Sequence, residues 1–126
     1  MIEKKFVALI QRLHKKTTEG SVQWERSFVE DKAFTTTMGR FSLSLRPRGD
    51  PDYPDQPDYI LRIHSQDDTV IEEISNVTLR GVSEELNVNA LQLLQETYTT
   101  ARRQVLGVEG AVDSLLSELD KDDIPF

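Results

Sequence analysis

Apolar residues in the first sixteen positions recur at the spacing of one helix face. Five of them share that face: Ile2, Phe6, Leu9, Ile10 and Leu13. Lysines and arginines occupy much of the remaining surface, and two lysines would lie in the last turn, where positive charge suits the helix dipole. The run from residue 17 to Gly20 then ends the pattern. The sequence therefore predicts an N-terminal amphipathic helix.

Four stretches with strand-like alternation follow this helix. They cover residues 22–28, 34–46, 59–64 and 70–74. The second is predicted as a single strand. Thr35 and Thr37 alternate in its first part, and Phe41, Leu43 and Leu45 alternate with serines in its second part. A long loop rich in Pro and Asp, residues 47–58, precedes the third stretch, and a short turn at 66–68 follows it. An antiparallel meander of about four strands with one solvent-exposed face is the simplest arrangement.

The last third of the chain predicts a long helix and a short one. Residues 75–88 show no clear period and are predicted to be irregular. From Asn89, apolar residues recur at helical spacing as far as Val105, and Gly107 and Gly110 then indicate a break. A short helix follows, with apolar positions at Val112, Leu115, Leu116 and Leu119.

Helices at both ends of a meander indicate an α+β fold in which the helices cover one face of the sheet. Residues 1–119 are predicted as a single domain and residues 120–126 as a flexible acidic tail. The expected core is drawn from both classes of element: Phe6, Ile10, Leu13, Phe41, Leu43, Leu61, Leu94, Tyr98 and Ala101.

Composition narrows the possible locations and partners. The chain has 126 residues, no Cys and a net charge of −7, which excludes disulfides and thiolate chemistry. No apolar run approaches the roughly eighteen residues of a membrane span, and the first residues do not resemble a signal peptide, so a cytoplasmic location is expected. Residues 1–48 carry ten Lys/Arg against five Asp/Glu, whereas residues 49–126 carry five against seventeen. Because the net charge of the whole chain is negative, we do not expect it to bind duplex DNA in bulk.

No constellation typical of an enzyme or a metal site is present. The loop of residues 47–58 contains four aspartates, Asp50, Asp52, Asp55 and Asp58. Their spacing is not that of a calcium-binding loop, and the prolines of this loop favour an extended, solvated segment. The two histidines, His14 and His64, are interpreted as surface or sheet-edge residues. Phosphate loops and hydrolase motifs are absent as well. We therefore expect no catalytic residues, no metal and no cofactor.

Aromatic and basic residues are interleaved in the predicted strands. The aromatic residues are Trp24, Phe28, Phe34, Phe41 and Tyr59, and the nearby cations include Arg40, Arg46 and Arg62. Such a pattern suits a platform on which single-stranded DNA stacks. Aromatic residues at alternating strand positions also form ordinary cores under helices, and this second interpretation is favoured. The three arginines are retained as candidate nucleic-acid contacts.

The C-terminal residues carry the most specific signal in the chain. The sequence ends Asp122-Asp123-Ile124-Pro125-Phe126, and the segment DKDDIPF closely resembles the acidic C-terminal tip of bacterial single-stranded-DNA-binding protein (SSB). That resemblance implies docking onto replication, recombination and repair proteins, without contact to DNA by the tip itself. The ring of Phe126 would fill an apolar pocket, its carboxylate would pair with a cation, and the aspartates would steer the approach.

The resemblance to SSB ends with the tip. The SSB family carries its tip on a long linker rich in Gly, Pro and Gln after a five-stranded barrel, and neither feature is present here. The leading hypothesis is a non-enzymatic interaction protein that recruits such partners or competes with SSB. Two alternatives stay open: a single-stranded-DNA-binding protein on an atypical scaffold, and a dimeric scaffold or chaperone whose tail packs on a neighbour. The order of elements loosely resembles type III secretion chaperones, which keeps the dimer in consideration.

Overall fold

A computed structural model describes residues 2–30, 32–48 and 58–121. Within these ranges the fold is α+β, as predicted, with four helices and a five-stranded antiparallel sheet. The elements in chain order are α1 (Ile2–Thr18), β1 (Glu25–Arg26), β2 (Phe34–Met38), β3 (Phe41–Arg48), β4 (Asp58–His64), β5 (Val70–Ser75), α2 (Arg80–Glu85), α3 (Ala90–Leu106) and α4 (Val108–Lys121). The strands pair in the order β1-β2-β3-β4-β5, which is the predicted meander.

The sheet has one strand more than predicted, because residues 34–46 form a hairpin. Met38 pairs with Phe41 across a two-residue turn made of Gly39 and Arg40. Gly39 has a φ of 62°, and Arg40 is not among the positive-φ residues, which is the pattern of a type II′ turn. A side chain with a Cβ rarely adopts that φ, so the glycine permits the tight reversal.

The helices that follow the sheet also differ in part from the sequence interpretation. Residues 80–85, predicted to be irregular, form the short helix α2. The predicted break after the long helix is confirmed at Gly107, which caps α3 in the left-handed conformation with a φ of 64°. Gly110 does not interrupt α4, which continues to Lys121, two residues past the expected domain boundary.

The core lies between one face of the sheet and the helices α1 and α3, which pack against each other. Its fully buried members come from both layers: Val7, Ile10, Leu45, Leu61, Ile74 and Leu94. Most of the predicted core is confirmed, with Phe6 and Tyr98 packed at its margin. Phe41 is a wrong prediction, because it is 49% exposed next to the hairpin turn, beyond the part of the sheet that the helices cover.

Candidate protein-binding surfaces

The five residues that carry the SSB-like tip, Asp122, Asp123, Ile124, Pro125 and Phe126, lie outside the described residues. What the structure places is the element that precedes them. Helix α4 ends at Lys121, immediately before the tip. Its fourteen residues give it a length of about 21 Å.

Helix α4 has no buried residue, although one of its faces is apolar. Val112, Leu115, Leu116 and Leu119 share that face and remain 46 to 61% exposed. Its first turns lie beside the domain, where Val108 and Val112 line a groove of about 740 Å³ with Thr100 and Gly107. The predicted short helix is therefore an amphipathic helix whose apolar face stays largely exposed among the described residues.

The outer face of the sheet, opposite the helices, carries an ion-pair network. The Arg62 guanidinium donates to the Glu30 carboxylate at 2.6 Å and to Glu73 at 2.9 Å. Arg48 extends the network through Glu73 at 3.6 Å and Asp58 at 2.8 Å. The hydrogen bonds to Glu30 and then to Glu73 raise the pKa of the Arg62 side chain above its usual value. Arg62 is thus held by carboxylates of its own domain.

The three arginines proposed as nucleic-acid contacts do not form one patch. Arg62 is paired as described, and Arg46 is half-buried on the neighbouring strand. Arg40 is exposed in the hairpin turn, about 20 Å along β3 from Arg46.

The aromatic residues that were considered as a stacking platform divide between the core and the surface. Trp24 and Phe34 are buried, and the indole N–H of Trp24 donates to the Thr17 hydroxyl at 3.2 Å. Tyr59 packs on Tyr98 at the edge of the core, and burial raises its pKa. For these three the core interpretation is confirmed. Phe28 is 98% exposed and lies in the loop after β1, outside the strand predicted for it.

Both histidines form hydrogen bonds with side chains of other elements. The ring of His14 lies 3.0 Å from the Glu96 carboxylate between α1 and α3. His64 contacts the Ser44 hydroxyl at 2.9 Å, and this hydroxyl also donates to Glu30 at 3.3 Å. Ser44 is only 4% exposed and the other two residues are half-buried, so the three form a partly buried bridge from the sheet to the loop that contains Glu30.

A groove between α3 and the loop after β1 was not predicted from the sequence. We call it the cationic groove, and it has a volume of about 590 Å³. Its main lining residues are Arg26, Phe28, Val29, Lys32, Phe34, Tyr98, Arg102 and Leu106. They come from two segments far apart in the chain, residues 26–34 and residues 98–106, which is why no local motif shows them.

One contact fixes the shape of the cationic groove. The Tyr98 hydroxyl donates to the backbone carbonyl of Lys32 at 2.7 Å, and Lys32 adopts a left-handed φ of 60°. The Tyr98 ring also packs on Phe34 with ring centroids 5.3 Å apart. The loop is therefore tied to helix α3 through the backbone of Lys32, and this contact holds Lys32 at the rim of the groove.

The described ranges contain no group of three or more His, Cys, Asp or Glu side chains arranged to hold a metal ion. Of the loop aspartates, Asp58 accepts from Arg48, and Asp50, Asp52 and Asp55 lie outside those ranges. Among the helices described, none has the length and apolarity needed to cross a membrane.

Comparison with known proteins adds no relative from which a role could be transferred. No protein-family model matches the chain, and no curated protein and no solved structure is significantly similar to it.

Proposed function

We propose that this chain is a non-enzymatic interaction protein of bacterial DNA metabolism. Its segment Asp122–Phe126 would dock into the pocket of replication, recombination and repair proteins that receives the SSB tip. The outcome would be recruitment of those proteins or competition with SSB. The observation that carries the proposal is the DDIPF segment following directly on the exposed helix α4. A cytoplasmic location is part of the same proposal.

The chemistry of the segment suits a small pocket with a cationic rim. In the proposal Phe126 supplies the apolar anchor together with the α-carboxylate, which pairs with an arginine or lysine of the receptor. Ile124 adds a second apolar contact. Pro125 fixes its own φ, so fewer backbone conformations are lost on binding. Asp122 and Asp123 attract a basic surface from a distance.

Helix α4 supports the proposal because it separates the segment from the domain. Helix α4 contributes nothing to the core, since none of its residues is buried. A spacer of about 21 Å lets a receptor approach the segment with little contact to the sheet or to α1. The helix takes the place that a disordered linker has in SSB.

Direct binding of single-stranded DNA through the sheet receives less support from the geometry. Arg62 is paired with Glu30 and Glu73, and Arg40 is separated from Arg46 by most of β3. Stacking platforms need exposed aromatic rings beside free cations on one surface. On the outer face of the sheet, the described strand positions carry mainly serine, threonine and charged residues together with Ile60 and His64, and none of them is Phe, Tyr or Trp.

The proposal is tested by competition for a purified protein that binds the SSB tip. A fluorescent peptide of the SSB tip is bound to that receptor, and the full chain is added. We expect displacement of the peptide, with loss of anisotropy. A parallel titration of the full chain into labelled oligo-dT should give no tight, salt-sensitive binding. Failure to displace the peptide together with tight oligo-dT binding would replace this proposal with the DNA-binding one.

Neutralising the two aspartates should weaken docking in a salt-dependent manner. We expect the double variant Asp122→Asn, Asp123→Asn to bind the receptor more weakly at low ionic strength, and the difference should shrink as salt rises. Isothermal calorimetry at two salt concentrations measures this effect. The matched control is Glu109→Gln with Asp113→Asn, which removes the same charge from the beginning of α4. An equal loss in the control would show that net charge, rather than the segment, drives association.

A further inference from the structure

The cationic groove has the features of a binding site for an acidic peptide with apolar side chains. Its volume of about 590 Å³ falls within the range of ligand pockets in proteins. Three cations, Arg26, Lys32 and Arg102, lie along it. Among the residues that the structure describes, none of the three forms an ion pair with a carboxylate.

The one described carboxylate that lines the groove is already committed elsewhere. Glu30 accepts from Arg62 at 2.6 Å and from Ser44 at 3.3 Å, and its side chain is only 11% exposed. It therefore cannot neutralise the three cations without losing partners on the outer face of the sheet. Among the described residues, no carboxylate of the groove is therefore free to pair with these cations, and a negative ligand would supply countercharge.

The apolar lining of the groove is exposed to an unusual degree. Phe28 is 98% exposed and Val29 is 91% exposed, while Phe34 and Tyr98 form the base. Full burial of a phenylalanine side chain stabilises a complex, whereas free exposure leaves that contribution unused. Aromatic and arginine side chains at the centre of a concave surface are the residues that dominate peptide recognition.

We propose that the cationic groove receives residues 122–126 of a second copy of this chain. The segment Asp122–Phe126 offers two aspartates for the three cations, and Ile124 and Phe126 for the aromatic base. The proposal rests on the proposed function in one respect, because it treats the segment as a peptide ligand. The groove would act as an internal competitor that covers the segment until a receptor takes it.

Chain geometry requires a second copy rather than folding back within one copy. Leu106 of the groove lies just before α4, whereas the segment begins about 21 Å away at the other end of that helix. Five fully extended residues span at most about 18 Å. In addition, α4 leaves on the side of α3 that carries Thr100 and Arg103, while the groove lies beside Tyr98 and Arg102.

Sedimentation velocity of full-length variants tests the proposal. We expect the wild-type chain to self-associate with rising concentration. Arg102→Glu should raise the dissociation constant at least about tenfold, since it replaces attraction to the aspartates by repulsion. The matched control is Arg103→Glu, the same change on the next exposed residue of α3, which lies outside the groove. Equal melting temperatures of the three proteins would exclude misfolding.

A mixing experiment identifies the contact as segment to groove. Phe126→Ala impairs the segment and Arg102→Glu impairs the groove, so each variant alone should remain monomeric at concentrations where the wild-type chain self-associates. An equimolar mixture still contains one intact segment and one intact groove, and we expect it to form heterodimers. Monomeric wild-type protein up to about 100 μM, or a mixture that stays monomeric, would overturn the proposal. So would equal effects of Arg102→Glu and Arg103→Glu.

Receptor binding separates this inference from the proposed function. Arg102→Glu keeps its segment and should bind an SSB-tip receptor at least as well as wild type, because the competing groove is impaired. If no variant binds the receptor but self-association still depends on Arg102 and Phe126, the proposed function fails and the inference stands. If receptor binding is normal and Arg102→Glu leaves self-association unchanged, the inference fails alone.

Discussion

Replacing Leu94 by Ala is expected to lower the free energy of unfolding by about 2–5 kcal/mol, as large-to-small changes at fully buried positions do. Leu94 is completely buried on α3, within the cluster that joins α1, α3 and the sheet. The substitution removes apolar contacts on all sides and leaves a cavity that a close-packed core fills only in part. Urea denaturation followed by circular dichroism measures the change.

The matched control for Leu94→Ala is Leu115→Ala, the same substitution on α4. Leu115 is 61% exposed and belongs to a helix with no buried residue, so we expect a change within about 0.5 kcal/mol. Deleting residues 120–126 should likewise leave the melting temperature nearly unchanged. A loss at Leu115 as large as that at Leu94 would show that α4 is packed against the domain or against another copy in solution.

Removing Phe126 should weaken binding to an SSB-tip receptor at least about tenfold, which corresponds to 1.4 kcal/mol. The deletion takes away the aromatic ring and moves the α-carboxylate onto Pro125, so both anchors of the proposed complex are lost together. Interface energy concentrates in such anchors rather than in the surrounding contacts. Calorimetry with the full chain and the shortened chain gives the two affinities.

Two further variants separate the contributions of ring and carboxylate at Phe126. Phe126→Leu keeps the carboxylate and part of the apolar volume, so its affinity should fall between the wild type and the deletion. Extending the chain by Gly-Ser after Phe126 keeps the ring and displaces the carboxylate, and it should also bind weakly. Equal affinity of the intact and the shortened chain would refute a functional role for the tip.

The sequence predicted the fold well wherever the hydrophobic period was uninterrupted. Leu43 and Leu45 on β3, and Leu94 on α3, lie on the faces that their spacing assigned to the core. The hairpin at Gly39 was missed because two-residue turns change the parity of the buried positions. The buried positions are even-numbered before the turn, as at Phe34 and Thr36, and odd-numbered after it, as at Leu43 and Leu45.

Surface features could be predicted less well, because they depend on contacts between distant segments. The pairing of Arg62 with Glu30 joins a strand to a loop thirty-two residues earlier, so the sequence alone suggested a free basic strand. The exposure of Phe28 has a similar origin, since its loop turns away after only two residues of β1. The resemblance of residues 122–126 to the SSB tip comes from the sequence alone, and both the resemblance and the docking stay predictions.

The isolation of α4 has a consequence for how its backbone behaves over time. Helices of about fourteen residues are marginal in water without tertiary packing, and α4 gains none from the described core. Its amides should therefore exchange with deuterium far faster than those of α3, whose buried face shares the global stability of the domain. A protein that covered Leu115 and Leu119 would slow that exchange, so the helix itself reports when its apolar face is occupied.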